Sequence, residues 1–293
     1  MLPLESVPNV SEGRNAAVIG ALAAAFTSHG ARLLDVHSDP DHHRSVLTLV
    51  GGDEELVASL LAGIDACRAR IDLRRHVGAH PRVGSADVVP IVPIVPEDMP
   101  RARDAALRLA ERVGAELDLP VFLYGESAAG RRPAFFRRGG PEALQRRIDE
   151  GELRPDYGPT RLDGGAGAVL IGARAPLIAF NLDLGTDDVS VARAVAEAVR
   201  ESSGGMPGVQ ALGLELPAAG RVQVSLNVVD VAAAPLHEVV ARVRGEASAR
   251  GIQVSGAELV GLLPAAAVAA AAADALALPA LAPDRVLELR LLD

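Results

Sequence analysis

Five of the seven histidines fall in two short stretches: His37, His42 and His43, then His76 and His80. The second pair lies in Arg75-His-Val-Gly-Ala-His-Pro-Arg-Val-Gly-Ser-Ala-Asp87, the segment densest in chemically useful side chains. Pro81 disfavours helix at His80, and Gly78 and Gly84 mark tight backbone. His76 and His80 therefore do not share a helix face despite their i, i+4 spacing. Three chemistries are open to this loop. Both histidine groups together could ligate a metal, although no acidic residue lies between His76 and His80, so the helical zinc-protease pattern is absent. A histidine could be hydrogen-bonded there for structure alone. A histidine beside Arg44 and Arg82 could also act as general acid and base, since an imidazole titrating at about 6.5 accepts and returns a proton at neutral pH. Asp35, His37 and Asp39 alternate and share one face if their strand continues, which would set a carboxylate beside an imidazole. A solvated strand end closing in an Asp39-Pro40 turn explains the same pattern, and spacing does not choose between them.

Composition narrows the classes. The chain has 293 residues, with 29 basic and 38 acidic side chains and a net charge of −9. An acidic chain with seven Phe and Tyr residues and no Trp is a poor nucleic-acid binder. Every basic residue is Arg, which removes Schiff-base catalysis and the P-loop lysine together. One cysteine, Cys67, permits neither an internal disulfide nor a cysteine metal cluster. The apolar run 259–273 is too short to span a bilayer and is interrupted by Pro264, and residues 1–6 carry no signal-peptide pattern. A cytoplasmic protein without membrane or nucleic-acid partners is expected.

Periodicity supplies the elements that must hold these residues. Strands are expected at 4–10, 33–37, 46–50, 88–94 and 121–124, and helices from Asn15 to about His29, over 53–71 and over 100–117. Leu56, Leu60, Ile64, Cys67 and Ile71 step by 4, 4, 3 and 4, so Cys67 belongs to a buried stripe. Ala102, Ala106, Leu109 and Val113 face inward on the next helix. The second half repeats the order. Strands fall at 177–182, 209–216, 221–229 and 252–259, and helices fall behind Asp188, at 236–250 and after Pro264. Along 221–229, Val222, Val224, Leu226 and Val228 alternate with Gln223, Ser225 and Asn227. Each half thus runs β-α-β-β-α-β with an added helix. The expected class is α+β, two ferredoxin-like (βαββαβ) subdomains packed around a cleft, residues 1–176 and 177–293, with mostly antiparallel sheets and helices on one face. The segment 125–172 is rich in Gly, Pro and Arg, with one helix at 141–149, and reads as a binding loop.

Within that segment Gly158-Pro-Thr-Arg-Leu-Asp-Gly-Gly-Ala-Gly167 resembles a phosphate cradle, but a strand-like run follows instead of a helix. A surface hairpin loop reads equally well. Taken in order, several pieces resemble the glutamate formimidoyltransferases, folate-dependent enzymes of histidine breakdown. They are Ser6–Gly13, Asp35–Val46, His76–Asp87, Leu123–Glu126, Pro155–Pro159, Gly172–Arg174, Ala179–Asn181 and Glu258–Gly261. The resemblance covers nearly the whole chain and is specific as a set.

The resemblance implies an N-terminal and a C-terminal formiminotransferase subdomain, with His80 as the catalytic acid/base. The folate-binding loop would comprise Gly158, Pro159, Thr160, Arg161, Leu162, Asp163, Gly164, Gly165, Ala166 and Gly167. Tetrahydrofolate is implied as co-substrate, with no metal, and a homodimer as the assembly. The implied reaction moves the formimino group of N-formimino-L-glutamate to N5 of tetrahydrofolate and leaves glutamate. Both substrates carry carboxylates, so Arg44, Arg82 and Arg174 are candidate binders by motif position, and His37 is a further substrate-binding candidate. Some relatives have an acidic residue in place of His37, Asn in place of His43 and Thr in place of Val169. Those departures bear on which one-carbon donor is accepted. The alternatives are formyl exchange between 5-formyltetrahydrofolate and glutamate, a catalytically silent folate-binding protein, and a metal-dependent hydrolase. The chain ends at Asp293, so the cyclodeaminase fused to animal relatives is expected to be absent.

Overall fold

The computed structural model describes residues 2–78, 80–217 and 219–290. The chain divides into two compact units, one ending at Ala175 and the other beginning at Pro176. In the first, the strand expected over 4–10 is broken into β1 (Leu4–Ser6) and β2 (Asn9–Val10). Pro8, which has no N–H to donate to a ladder, lies in the break. Both pieces pair antiparallel with the same neighbours, β4 (Arg44–Gly51) and β5 (Ala86–Pro93). Asn15 caps α1 (Ala16–Phe26) by accepting from the Ala17 and Val18 amides. The helix stops three residues before His29, because Thr27 and Ser28 turn their hydroxyls back onto the carbonyls of Ala23, Ala24 and Ala25.

Strand β3 (Arg32–Asp39) pairs antiparallel with the outer side of β4, and α2 (Asp53–Arg70) leads back across the sheet. The order β3-β4-β1/β2-β5 is that of the split βαβ unit. The unit then extends this pattern through α3 (Met99–Glu116), β6 (Val121–Gly125) and β7 (Val169–Ala173). Strand β7 lies parallel to β5, and β6 parallel to β7. Helices α1–α3 contribute Leu22, Phe26, Leu56, Leu60, Ile64, Cys67, Leu109 and Val113 to one core. Residues on β6 alternate, so Val121 and Leu123 join that core while Phe122 and Tyr124 face the other way.

The second face is also covered, which the expectation of helices on one face did not include. Helices α4 (Pro133–Arg137) and α5 (Gly140–Asp149) bring Phe136, Leu144 and Ile148 onto Phe122, Val88 and Leu170. The rings of Phe122 and Phe136 lie 5.1 Å apart. At five residues, α4 is too short to leave a periodic signature in a segment crowded with Gly and Arg.

The second unit orders its strands β11-β8-β10-β9, all antiparallel, again the ferredoxin-like order. They are β8 (Ile178–Leu184), β9 (Val209–Leu216), β10 (Arg221–Val228) and β11 (Val254–Val260). Helices α6 (Val189–Val199), α7 (Leu236–Ser248) and α8 (Ala265–Ala275) complete it. A four-residue helix, α9 (Leu287–Arg290), follows. Val222, Val224, Leu226 and Val228 enter its core as their alternation requires. Gln223, on the polar side, is fully buried and donates to Asp183 at 3.0 Å. The two units together are the α+β arrangement. Among the described residues, no helix is long and apolar enough to cross a membrane.

Candidate active site

The site grows from one corner of the first unit. The β3–β4 turn delivers His42, His43 and Arg44, and the chain leaving α2 delivers His76 to Arg82. The N-terminal strand pieces set Asn9 and Glu12 beside them. Close packing makes two glycines obligatory. A Cβ on Gly13 would stand 2.1 Å from the Asp39 carbonyl oxygen, and one on Gly78 would stand 2.5 Å from that of His42. Asp39 closes the turn by accepting from the His42 amide at 2.6 Å. His43 takes a left-handed φ of 48°, a conformation unusual outside glycine and asparagine.

Arg82 ties the two histidine segments together. Its Nε donates to the His80 carbonyl at 3.1 Å. Its Nη2 donates to the carbonyls of His42 at 3.0 Å and His80 at 2.7 Å. Its Nη1 donates to the His43 carbonyl at 3.2 Å and to His76 Nδ1 at 2.7 Å. A guanidinium has five N–H donors, and all five are matched within the protein. The rings of His43 and His76 stack at 3.9 Å, His43 meets Glu12 at 3.2 Å, and His76 reaches the His43 carbonyl at 3.0 Å. Burial, then Arg82, push His76 down to about 4, so it is neutral at pH 7.

His80 stands apart from that stack. Its Nδ1 is 2.7 Å from the Pro81 carbonyl, which accepts, so Nδ1 carries the hydrogen and Nε2 is left as the acceptor. Arg44 Nη1 lies against both ring nitrogens, 2.5 Å from Nδ1 and 2.9 Å from Nε2; a guanidinium can only donate, so Nε2 is the atom that accepts from it. Asn9 Oδ1 accepts from Arg44 Nε at 2.9 Å and also from Nη2. Burial first, then Arg44 and Arg137, hold His80 well below its ordinary value. Burial and the like charges of Arg137 and Arg82 lower Arg44 to about 9, against the opposing pull of Asp87. Asp87 is 2% exposed, accepts from the Val83 amide at 2.7 Å and pairs with Arg137 at 2.5 Å. The result is a neutral, base-ready imidazole in a strongly positive setting.

The sequence-derived candidates divide. His80, Arg44 and Arg82 come together. His37 lies opposite Val46 and Asp39 opposite Arg44, so Asp35, His37, Asp39 and Arg44 share one face of the sheet. In the glycine loop, Asp163 Oδ1 accepts from Gly165 and Ala166. That end of the loop docks beside the histidine segment, where the Leu73 amide donates to Gly165 and the Ser85 amide to Ala166. The other end packs elsewhere. A Cβ on Gly158 would meet the Leu119 carbonyl at 2.2 Å, and Thr160 and Arg161 are exposed. Arg174 lies at the end of β7, donates to the Ala175 carbonyl at 2.9 Å and sits beside Tyr124 and Glu5 rather than His80.

A cavity of about 350 Å³ is lined by Leu73, His76, Val77, Gly78, Arg82, Gly140 and Pro141. It opens on the His76 side of the loop, and His80 is not among its walls. Its size lies at the small end of ligand pockets. Among the described residues, no group of three His, Cys, Asp or Glu side chains stands close enough to hold a metal ion. Cys67 is buried and its thiol is pushed up by burial, as a core residue. Sequence reasoning missed Asn9, Glu12, Asp87 and Arg137 as site residues. The first three lay inside the quoted motifs. Arg137 had no signal beyond its place in an Arg-rich segment.

Comparison with known proteins places this geometry. Residues 3–174 match the N-terminal subdomain of the formiminotransferase domain, and residues 179–276 match the formiminotransferase domain. A glutamate formimidoyltransferase from Streptococcus pyogenes is 38% identical over 90% of this chain and 90% of its own length. One from Thermoplasma acidophilum is 38% identical over 89% of this chain and 88% of its own. The formimidoyltransferase-cyclodeaminase of Sus scrofa is 40% identical over 92% of this chain, which spans 52% of that longer protein. With both units matched and the identity running nearly end to end, the chain is an enzyme of the formiminotransferase family.

Proposed function

We propose that the protein transfers the formimino group of N-formimino-L-glutamate to N5 of tetrahydrofolate, with His80 carrying the proton. The observation behind this is the imidazole itself. Nδ1 is anchored on the Pro81 carbonyl and Nε2 carries the lone pair, and burial, then the neighbouring Arg44 and Arg137, keep the ring neutral. As the bond from N5 to the formimino carbon forms, His80 Nε2 takes the N5 proton. As the bond from that carbon to the glutamate nitrogen breaks, the same atom returns the proton to the leaving amine. One hydrogen leaves N5 and one arrives on glutamate, so the exchange balances with no other reactant. Such a relay contributes about 10²–10⁴-fold.

Arg44 caps Nε2 in this arrangement, and a substrate carboxylate competing for Arg44 frees the lone pair. Arg82 has no donor left for a substrate, so its role is to fix the His76–Arg82 loop. Tetrahydrofolate supplies the accepting nitrogen. Leu73, Gly140, Pro141 and the Asp163–Gly167 end of the glycine loop offer it apolar, low walls. A Cβ on Gly140 or Gly164 would meet nothing within 4 Å, so a flat ring has room there. Arg174 remains a candidate for a more distant carboxylate, and His37 for the rim of the strand face. Action in the cytoplasm as a homodimer follows from the family likeness. The test is a spectroscopic assay for 5,10-methenyltetrahydrofolate, supplying formiminoglutamate, tetrahydrofolate and a separate cyclodeaminase. Formation that depends on both substrates supports the reading, and no formation overturns it.

A further inference from the structure

Arg137 is a side chain the reaction above does not use. It ends the short helix α4, whose Phe136 is fully buried against the sheet. Its Nη2 pairs with Asp87 at 2.5 Å, while its buried Nε has no hydrogen-bond partner among the described residues. A buried donor left unmatched on a charged group is costly, and native structures rarely leave one without a use. Asp87 also accepts from the amide of Val83, three residues after His80, so the Asp87–Arg137 pair is tied to the end of the loop that carries the reacting imidazole, and Arg137 adds to the positive charge around His80 and Arg44. Asp87 therefore holds the Nη2 corner of this guanidinium and does not match its Nε. Three arginines against Asp87 leave positive charge that a bound anion would offset.

We propose that Arg137, together with Arg44, binds the α-carboxylate of the amino-acid donor, and that Asp87 positions Arg137 for it. The inference rests on the transfer reading above. Chemistry selects which carboxylate. In the donor, the α-carboxyl carbon is three bonds from the formimino carbon, about 4 Å at most. In the folate, the carboxylates lie beyond the aminobenzoyl ring, more than about 10 Å from N5. The donor's own γ-carboxyl carbon is five bonds from the formimino carbon, about 6 Å at most, so the α-carboxylate is the one nearest the reacting atoms and the one we assign beside the imidazole. A planar guanidinium pinned on one edge suits bidentate capture of it.

The test is titration calorimetry on the full chain with L-glutamate, L-glutamine and L-isoglutamine, the last lacking the α-carboxylate. Arg137→Lys is one variant. Asp87→Asn/Arg137→Gln is the second, removing both charges so that no unpaired ion is buried. Both should bind glutamate and glutamine ten- to a hundredfold more weakly than the wild type. Isoglutamine should bind all three proteins equally weakly. KM for formiminoglutamate should rise by the same factor, with KM for tetrahydrofolate within twofold. Unchanged glutamate affinity in both variants, an equal loss for isoglutamine, or a rise confined to tetrahydrofolate would overturn the assignment. Glutamate binding needs no turnover, so a failure of the transfer reading shows separately, as an inactive wild-type protein.

Discussion

Replacing Arg82 with lysine separates positioning from substrate binding. Arg82 donates to the carbonyls of His42, His43 and His80 and to the His76 ring. Lysine offers three donors from a single point and cannot span acceptors on both sides of a fork. At least two of the five hydrogen bonds are lost. Each bond to a charged group is worth about 1.5–3 kcal/mol, and partial access to water lowers the cost, giving about 2–4 kcal/mol in all. For a unit of this size the melting temperature should fall by about 5–15 °C. The loosened loop misplaces the His80 ring, so kcat for formimino transfer should fall by about a hundredfold. KM for both substrates should stay within threefold, because no Arg82 donor was free to bind them. Melting curves and steady-state kinetics on Arg82→Lys provide the check. A tenfold rise in either KM with kcat preserved would show that Arg82 holds a substrate carboxylate, and the geometric argument would be wrong.

Stability should depend on pH through His76 and His80, both held below the ordinary imidazole value, His76 at about 4. Above 6.5 both folded and unfolded states are neutral; as pH falls below 6.5 only the unfolded chain takes up the protons, so stability declines from there toward pH 4. Each histidine contributes up to about 2.7 kcal/mol over the two units from 6.5 to 4.5, less for the part-exposed His76, so urea melts at pH 7 and pH 4.5 should differ by on the order of 3–5 kcal/mol from this source, and replacing both residues with Gln should flatten the slope; an unchanged slope rejects it. Asp87→Asn leaves Arg137 buried without its counter-ion and should cost about 3–5 kcal/mol, with Asp87→Asn/Arg137→Gln recovering part of it; equal melting of the single and double variants would show the pair is not coupled. Cys67→Ala should keep turnover within twofold while costing about 1 kcal/mol for the small void, and loss of activity in a well-folded variant would reopen a nucleophilic role for the thiol.

Periodicity found the long elements because each has a face that only burial explains. The stripe Leu56, Leu60, Ile64 and Cys67 is fully or nearly fully buried on α2, and Val222–Val228 line the second core as alternation required. What stayed hidden depends on partners distant in sequence. The break at Pro8 is legible once two neighbouring strands are known to flank it. Helix α4 is five residues long and is held by Phe136 meeting Phe122. The parallel placement of β6 and β7 needs knowledge of which strand each joins, and no local pattern carries that. At the site, residue types pointed to the histidine loop and to Arg44, but left a metal, a structural and a proton-transfer role open. The distinct fates of His76 and His80 appear only when Arg82 is seen to grip one ring and the other's backbone. Asp87 and Arg137, fifty positions apart, form a buried pair that no spacing rule reaches.

The most direct measurement is single-turnover formimino transfer by His80→Gln, with circular dichroism and melting recorded on the same sample. Glutamine keeps a hydrogen-bonding side chain at the loop but cannot take and return a proton. With native folding and substrate KM values within a few-fold, the transfer rate should fall by about a hundredfold or more. A fall of less than tenfold in that folded variant would show that the imidazole does not carry the proton, and the account built on it would fail.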